Sequence, residues 1–224
     1  MKTPALLAPV FLLAASTGVL LAQPPLPGLV FKGQRVTVTA APATPDGVMP
    51  AGPAQVCLAP SGMCFTAPDN GTPFGFSPDA TPVQLGANQQ GLLFTAIASS
   101  SGSGSEKLIA VLEVRNGRLD NLAPGVKVSE QGEYKMWQEP SISKTALLVT
   151  ADYVWGRAET HFSAHRFRIS TYVLEPIVAS DVQFYSLRDE FITSKRYPSL
   201  DEVVTVAVLG HEKVEVLARL HRQK

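Results

Sequence analysis

The sequence predicts a mainly β fold: an antiparallel sandwich or open barrel-like sheet with a single C-terminal helix. Three observations predict it. Short β-branched and aromatic runs recur between Gly, Asn and Pro turn signals, with no helical segment between them. Asn116-Gly117 sits between two such runs, and both positions of that pair favour the positive φ a tight hairpin needs. Helical spacing enters only in HEKVEVLARLHRQK (211–224), where Val214, Leu217 and Leu220 recur at three-residue steps.

The first segment reads as an address. Met1-Lys2 is followed by ALLAPVFLLAASTGVLLA (5–22), which carries no charge. A positive start, an apolar middle and small residues at the end form a secretory signal peptide, cut after Ala22 and before Gln23. An uncleaved anchor is the alternative, because the run is close to the shortest length that spans a bilayer. The expected location is therefore secreted or periplasmic, with no stable membrane insertion after cleavage.

Residues 23–90 read as a Pro-rich segment with short strands. Twelve of the eighteen prolines lie between Pro24 and Pro82. QRVTVTA (34–40) is the clearest strand, with Val36 and Val38 on one face. Cys57 and Cys64, the only cysteines, flank Pro60-Ser61-Gly62. In an oxidising compartment that spacing reads as a disulfide across a hairpin, with VCLA and CFTA as its arms. Asn70-Gly71-Thr72 is a turn signal and a glycosylation sequon.

Residues 91–224 read as a β-rich domain ending in the helix. GLLFTAIA (91–98) and KLIAVLEV (107–114) are strands either side of the polar loop SSSGSGSE (99–106). RLDNLA (118–123) follows the Asn-Gly turn. KTALLVTADYVW (144–155) is a long strand, Gly156-Arg157-Ala158-Glu159 a turn, and THFSAHRFRISTYVLE (160–175) its return. VQFYSLRDEFITSKRY (182–197) supplies one or two more strands. Ser199-Leu200-Asp201-Glu202 fits a helix capping box. LLFTA (92–96) and LLVTA (147–151) are alike, either as a duplicated hairpin or as common strand vocabulary.

Lys+Arg and Asp+Glu are both 19 in 224 residues, so the chain lacks the basic excess of a nucleic-acid binder. Apolar residues make up 45%, enough for a core. No nucleophile motif and no phosphate-binding loop is present, and nothing calls for a cofactor or metal.

The densest polar cluster is TADYVWGRAETHFSAHR (150–166), with His161 and His165 four residues apart. On a helix that spacing serves zinc, but on a strand it spans ~13 Å, too far for one ion. Pairing Trp155 with Thr160 across the turn places Val154 opposite His161, Asp152 opposite Ser163 and Thr150 opposite His165. Asp152 then lies between both histidines, and Tyr153, Trp155, Phe162 and Ala164 share the other face. The candidate binding residues are Trp155, Glu159, Arg166 and Arg168. Asp152, His161 and His165 are the catalytic candidates if the protein is a hydrolase.

The stretch VTADYVWGRAETHFSAHRFRIS, with LRDEFITSKRY and HEKVEVLARL after it, resembles exported bacterial proteins of uncharacterised function over roughly residues 91–220. The resemblance implies an envelope setting and no particular chemistry. The expected function is an exported, non-enzymatic binding or interaction module with a protein or glycan partner. The alternative is the hydrolase.

Overall fold

The structure, a computed structural model, describes residues 28–68, 71, 73–100, 105–160, 163–176, 182–198 and 207–223. The signal segment, Asn70 and Thr72 of the sequon, most of the Ser/Gly loop, His161, Phe162 and the capping box Ser199–Glu202 lie outside the described residues.

Thirteen strands and one helix form the described fold. β1 (Val30–Phe31), β2 (Gln34–Thr39), β3 (Gln55–Ala59) and β4 (Met63–Thr66) make a first antiparallel sheet in that order. β5 (Phe76–Gly86), β6 (Gln89–Ile97), β7 (Glu106–Arg115) and β8 (Arg118–Asn121) make a middle sheet, with β9 (Lys127–Ser129) also paired to β7. β10 (Glu133–Trp137), β11 (Leu147–Val154), β12 (Arg166–Pro176) and β13 (Gln183–Ile192) make a third. α1 (Val208–Arg222) follows. The fold is mainly β with a C-terminal helix, and each sheet is open.

Strand periodicity explains how the layers stack. Side chains alternate between faces, so a strand that is apolar at every position must be covered on both sides. Residues 108–112 of β7, LIAVL, are such a run. Leu108, Ala110 and Leu112 of β7 meet Phe31, Val56 and Leu58 of the first sheet. Ile109 and Val111, on the other face, meet Leu148, Leu174 and Tyr185 of the third. The third sheet repeats the device. Leu147, Val149, Ala151, Phe167 and Ile169 turn away from the middle sheet and pack on Val208, Leu209, Val216 and Leu220 of α1. The order of layers is sheet, sheet, sheet, helix.

Several elements depart from the sequence reading. β5 is an eleven-residue strand despite Pro78 and Pro82. It is the edge of the middle sheet, where a missing N–H can face outward, and its register shifts between Phe76 and Asp79, around Pro78. β9 and β10 have no counterpart in the reading, although Tyr134 and Met136 alternate with charged neighbours and point into the core shared with the middle sheet. The helix begins at Val208, three residues before the sequence suggested, and its buried stripe runs through Leu209, Val216 and Leu220. Val214 is 80% exposed, so it lies off the packed face.

The helix N-terminus is held from outside. Ala207 supplies no side-chain cap. Glu133 on β10 does so instead, its Oε1 accepting from the Val208 N–H at 2.6 Å and its Oε2 from the Leu209 N–H at 3.1 Å. A carboxylate there satisfies two orphan donors and complements the helix dipole.

The hairpins behave as expected. Asn116 and Gly117 have φ 46° and 74° and join β7 to β8, with Arg115 opposite Arg118. Cys57 and Cys64 face one another on β3 and β4 at disulfide distance, 2.07 Å between sulfurs.

Candidate functional site

The polar hairpin is built differently from its expected register. β11 and β12 pair Val154 with Arg166, Asp152 with Arg168 and Thr150 with Ser170. The described residues 155–160 and 163–165 lie outside the β11–β12 ladder, and the return strand starts at Arg166 rather than Thr160. Ser163 and His165, the expected partners of Asp152 and Thr150, lie outside this ladder. Glycine and short polar side chains tie that loop to itself and keep it out of the sheet.

His165 is the centre of the loop. It is fully buried and bridges Tyr197, its N–H donating to the Tyr197 carbonyl and the reverse, both at 2.8 Å. Its Nδ1 lies 3.1 Å from Glu159 Oε2 and its Nε2 2.9 Å from the Thr160 carbonyl oxygen. Both ring nitrogens are occupied by oxygen acceptors. The ring lies edge-on to Tyr153 and Trp155, with centroids at 4.9 and 4.7 Å.

Glu159 gathers the loop around that ring. It accepts from Arg196 and from the Gly156 N–H at 2.7 Å, as well as meeting His165. The Arg196 guanidinium, then the Gly156 N–H and His165, hold its carboxyl well below the usual range, down to about 2. Glu159 packs closely over Gly156, where an added Cβ would come within 2.6 Å of Glu159 Oε1 and oblige that carboxylate to shift.

Asp152 is elsewhere. Odd-numbered residues of β11 face the helix, and even-numbered ones face the middle sheet. Asp152 Oδ1 accepts from the Ser129 N–H at 3.0 Å, the Ser129 hydroxyl at 2.5 Å and the Tyr153 N–H at 2.9 Å. It ties β11 to β9, on the face opposite His165. The expected convergence of Asp152 with His165 is therefore corrected: the two are separated by the sheet and engaged with other partners. The binding candidates split in the same way. Trp155, 47% exposed, and Glu159 gather around His165. Arg166 and Arg168 point from the other face of β12, where Arg168 Nε is 3.6 Å from Glu190 Oε1. Among the described residues, no three His, Cys, Asp or Glu side chains come together to hold a metal ion.

A concave site lies in a place the sequence reading missed. A cleft of about 490 Å³ opens where the end of β4 stands over the middle sheet. Phe65, Pro68, Phe74, Leu108, Pro124 and Val126 give it apolar walls. Phe65 is braced edge-on by Phe94, centroids 5.8 Å apart. At the rim, Lys127 Nζ contacts Glu106 Oε1 at 2.7 Å and Oε2 at 2.8 Å. Asn121 Oδ1 accepts from the Val111 and Ala123 N–H groups at 3.2 and 2.9 Å, which fixes the floor. Its walls come from Phe65, Thr66, Pro68 and Phe74, from Glu106 and Leu108, and from Asn121 and 124–127, and no local pattern in any of them signals a pocket. Concave, mostly apolar hollows with a few fixed polar groups are where proteins take ligands.

No protein-family model matches the chain, and no curated protein matches it. Among solved structures it is similar to one described as "Crystal structure of CarG", with 16% identity over 58% of this chain and 94% of that chain, at a TM-score of 0.38. That likeness is too slight to support an argument. Among the described residues, no helix is long and apolar enough to cross a membrane.

Proposed function

We propose that the protein is an exported binding or interaction module of the cell envelope or extracellular space, and that it takes its ligand in the cleft beside β4. The cleft carries this reading: about 490 Å³ with aromatic and aliphatic walls and one ion pair at the rim. That volume suits a ligand of small-molecule size or a few side chains of a larger partner. Export is supported by the charge-free run Ala5–Ala22 behind Lys2 and by the Cys57–Cys64 pair at disulfide distance. The hydrolase reading has less behind it, because His165 offers no nitrogen to a substrate and Asp152 lies across the sheet from it.

Two experiments test this reading. Terminal sequencing of protein from its native host should begin near Gln23, and an intact Met1 on cytoplasmic protein would contradict export. Screening small aromatic amides by NMR should perturb the amides of Phe65, Phe74, Leu108 and Val126. Hits confined to other surfaces would remove the cleft from the account.

A further inference from the structure

We infer that the partner is an extended, uncharged peptide segment that adds as a fifth strand to the edge of β4, which is unpaired among the described residues, and places an aromatic or aliphatic side chain in the neighbouring cleft. This inference rests on the proposed binding role of the cleft and names its class of ligand.

β4 is the edge of the first sheet, and its backbone polarity is set by its pairing with β3. In an antiparallel ladder, directly opposed residues alternate between close, non-hydrogen-bonded pairs and wider, hydrogen-bonded ones. Cys57 and Cys64 have Cα atoms 4.1 Å apart, which marks the close kind. The Ala67 N–H donates to the Ala54 carbonyl at 2.9 Å, which marks a hydrogen-bonded pair three steps along the same register. The two observations agree. By this alternation Phe65 turns its backbone groups to β3, whereas Cys64 and Thr66 turn their N–H and C=O away from it. Both residues are exposed. An edge with outward donors and acceptors at alternate positions is a template for one more strand.

The cleft begins where that edge ends, because Phe65, Thr66 and Pro68 belong to its wall. A strand laid along β4 would alternate its own side chains, sending every second one toward Phe74 and Leu108. The charge pattern selects the segment. Glu106 and Lys127 are the charged groups of the lining, and they neutralise one another at 2.7 Å. Complementarity therefore favours a segment that carries no charge at the positions entering the cleft.

The test uses the full mature chain and three probes. The first is the capped pentapeptide acetyl-Thr-Val-Phe-Val-Thr-amide. The second is the same peptide N-methylated at its two valines, which keeps the side chains and removes the outward donors. The third is N-acetyl-phenylalaninamide, which offers the side chain alone. Hydrogen exchange at the Cys64 and Thr66 amides is followed with each. The expected result is exchange slowed about tenfold or more at both amides by saturating pentapeptide, and binding about tenfold weaker for the methylated form. Phe74→Ala should weaken the pentapeptide and leave amide exchange within α1, remote from the cleft, unchanged in the free protein. Equal binding of both peptides, or cleft perturbation with no change at Cys64 and Thr66, overturns strand addition while the cleft remains a ligand site. Failure of all three probes to touch the cleft overturns the cleft itself. Protection of the two amides that grows with protein concentration, with no probe added, would replace the peptide by a second copy of the chain.

Discussion

Asp189 meets Arg219 across the sheet–helix interface because β13 carries one extra residue. Thr171 of β12 pairs with Asp189, and Tyr172 pairs with Leu187, so Arg188 is bulged out of the ladder. Tyr185 and Leu187 point toward the middle sheet, and after the bulge Asp189 and Phe191 point toward α1. There Arg219 donates from Nε to Asp189 Oδ2 at 2.6 Å and from Nη2 to Oδ1 at 3.2 Å, while Gln223 adds a third bond at 2.8 Å. The same guanidinium lies 4.7 Å from the Phe191 ring centroid.

Removing Arg219 leaves a carboxylate that is 8% exposed without its charged partner. Arg219→Met should lower stability by about 1–3 kcal/mol in urea melts at pH 7. The bidentate guanidinium holds the Asp189 carboxyl below the ordinary range. A depressed carboxyl contributes stability above its unfolded pKa of about 3.9 and loses it as pH falls through the lower folded value. The difference between wild type and Arg219→Met should therefore be full at pH 6–7 and shrink below about pH 4. A difference that stays constant down to pH 2 would show that the aliphatic packing of Arg219, not its charge, is what matters.

Glu133 predicts a second cost at the other end of the same helix. Glu133→Ala strips two N–H groups of their acceptor and should cost about 1–2 kcal/mol. Amide exchange at Val208 and Leu209 should accelerate, while exchange within β11 should not. Unchanged exchange at the first helical turn would show that water replaces the carboxylate at no cost.

The loop around His165 depends on a carboxylate that remains ionised in moderate acid. Glu159 is held down to about 2 by Arg196, so its contribution is present above the usual carboxylate pKa of about 4.3 and lost as pH falls toward 2. The Gly156 amide, which donates to Glu159, should stay protected to about pH 3 in wild type and lose protection at every pH in Glu159→Ala. Equal protection in both would mean that the His165–Thr160 bond closes the loop by itself.

The sequence disclosed the strands that are buried on both faces more readily than their partners. GLLFTAIA, KLIAVLEV and KTALLVTA are apolar at nearly every position because β6, β7 and β11 each lie between two layers, and that arrangement leaves its trace in composition. Leu93 of LLFTA and Leu148 of LLVTA both enter the core between the middle and third sheets. β5 was hidden because prolines are read as breakers, and only the sheet order reveals that it is an edge. The register of the polar hairpin was hidden because the sequence between Trp155 and His165 has strand-like residues, whereas Glu159, Thr160 and Trp155 gather around a buried His165. The cleft was hidden because its walls are contributed by segments far apart in sequence, Phe65 and Phe74 against Asn121 and Val126.

The disulfide supports the edge that the peptide proposal uses. Its loop is short, so the chain-entropy argument allows about 2.5 kcal/mol at most. Replacing both Cys57 and Cys64 by Ser should lower stability by about 2 kcal/mol or less and leave the fold cooperative. Loss of all folding would mean that the first sheet depends on the bridge far more than its small loop implies.

The cleft stands or falls most directly on one measurement: a two-dimensional NMR titration of the mature protein with N-acetyl-phenylalaninamide, mapped residue by residue. Shifts centred on Phe65, Phe74, Leu108, Asn121 and Val126, and abolished by Phe74→Ala in a variant whose other resonances stay in place, are the predicted result. Shifts centred instead on Trp155 and the loop around His165, with the cleft silent, would contradict the account and return the binding site to the aromatic surface of the third sheet.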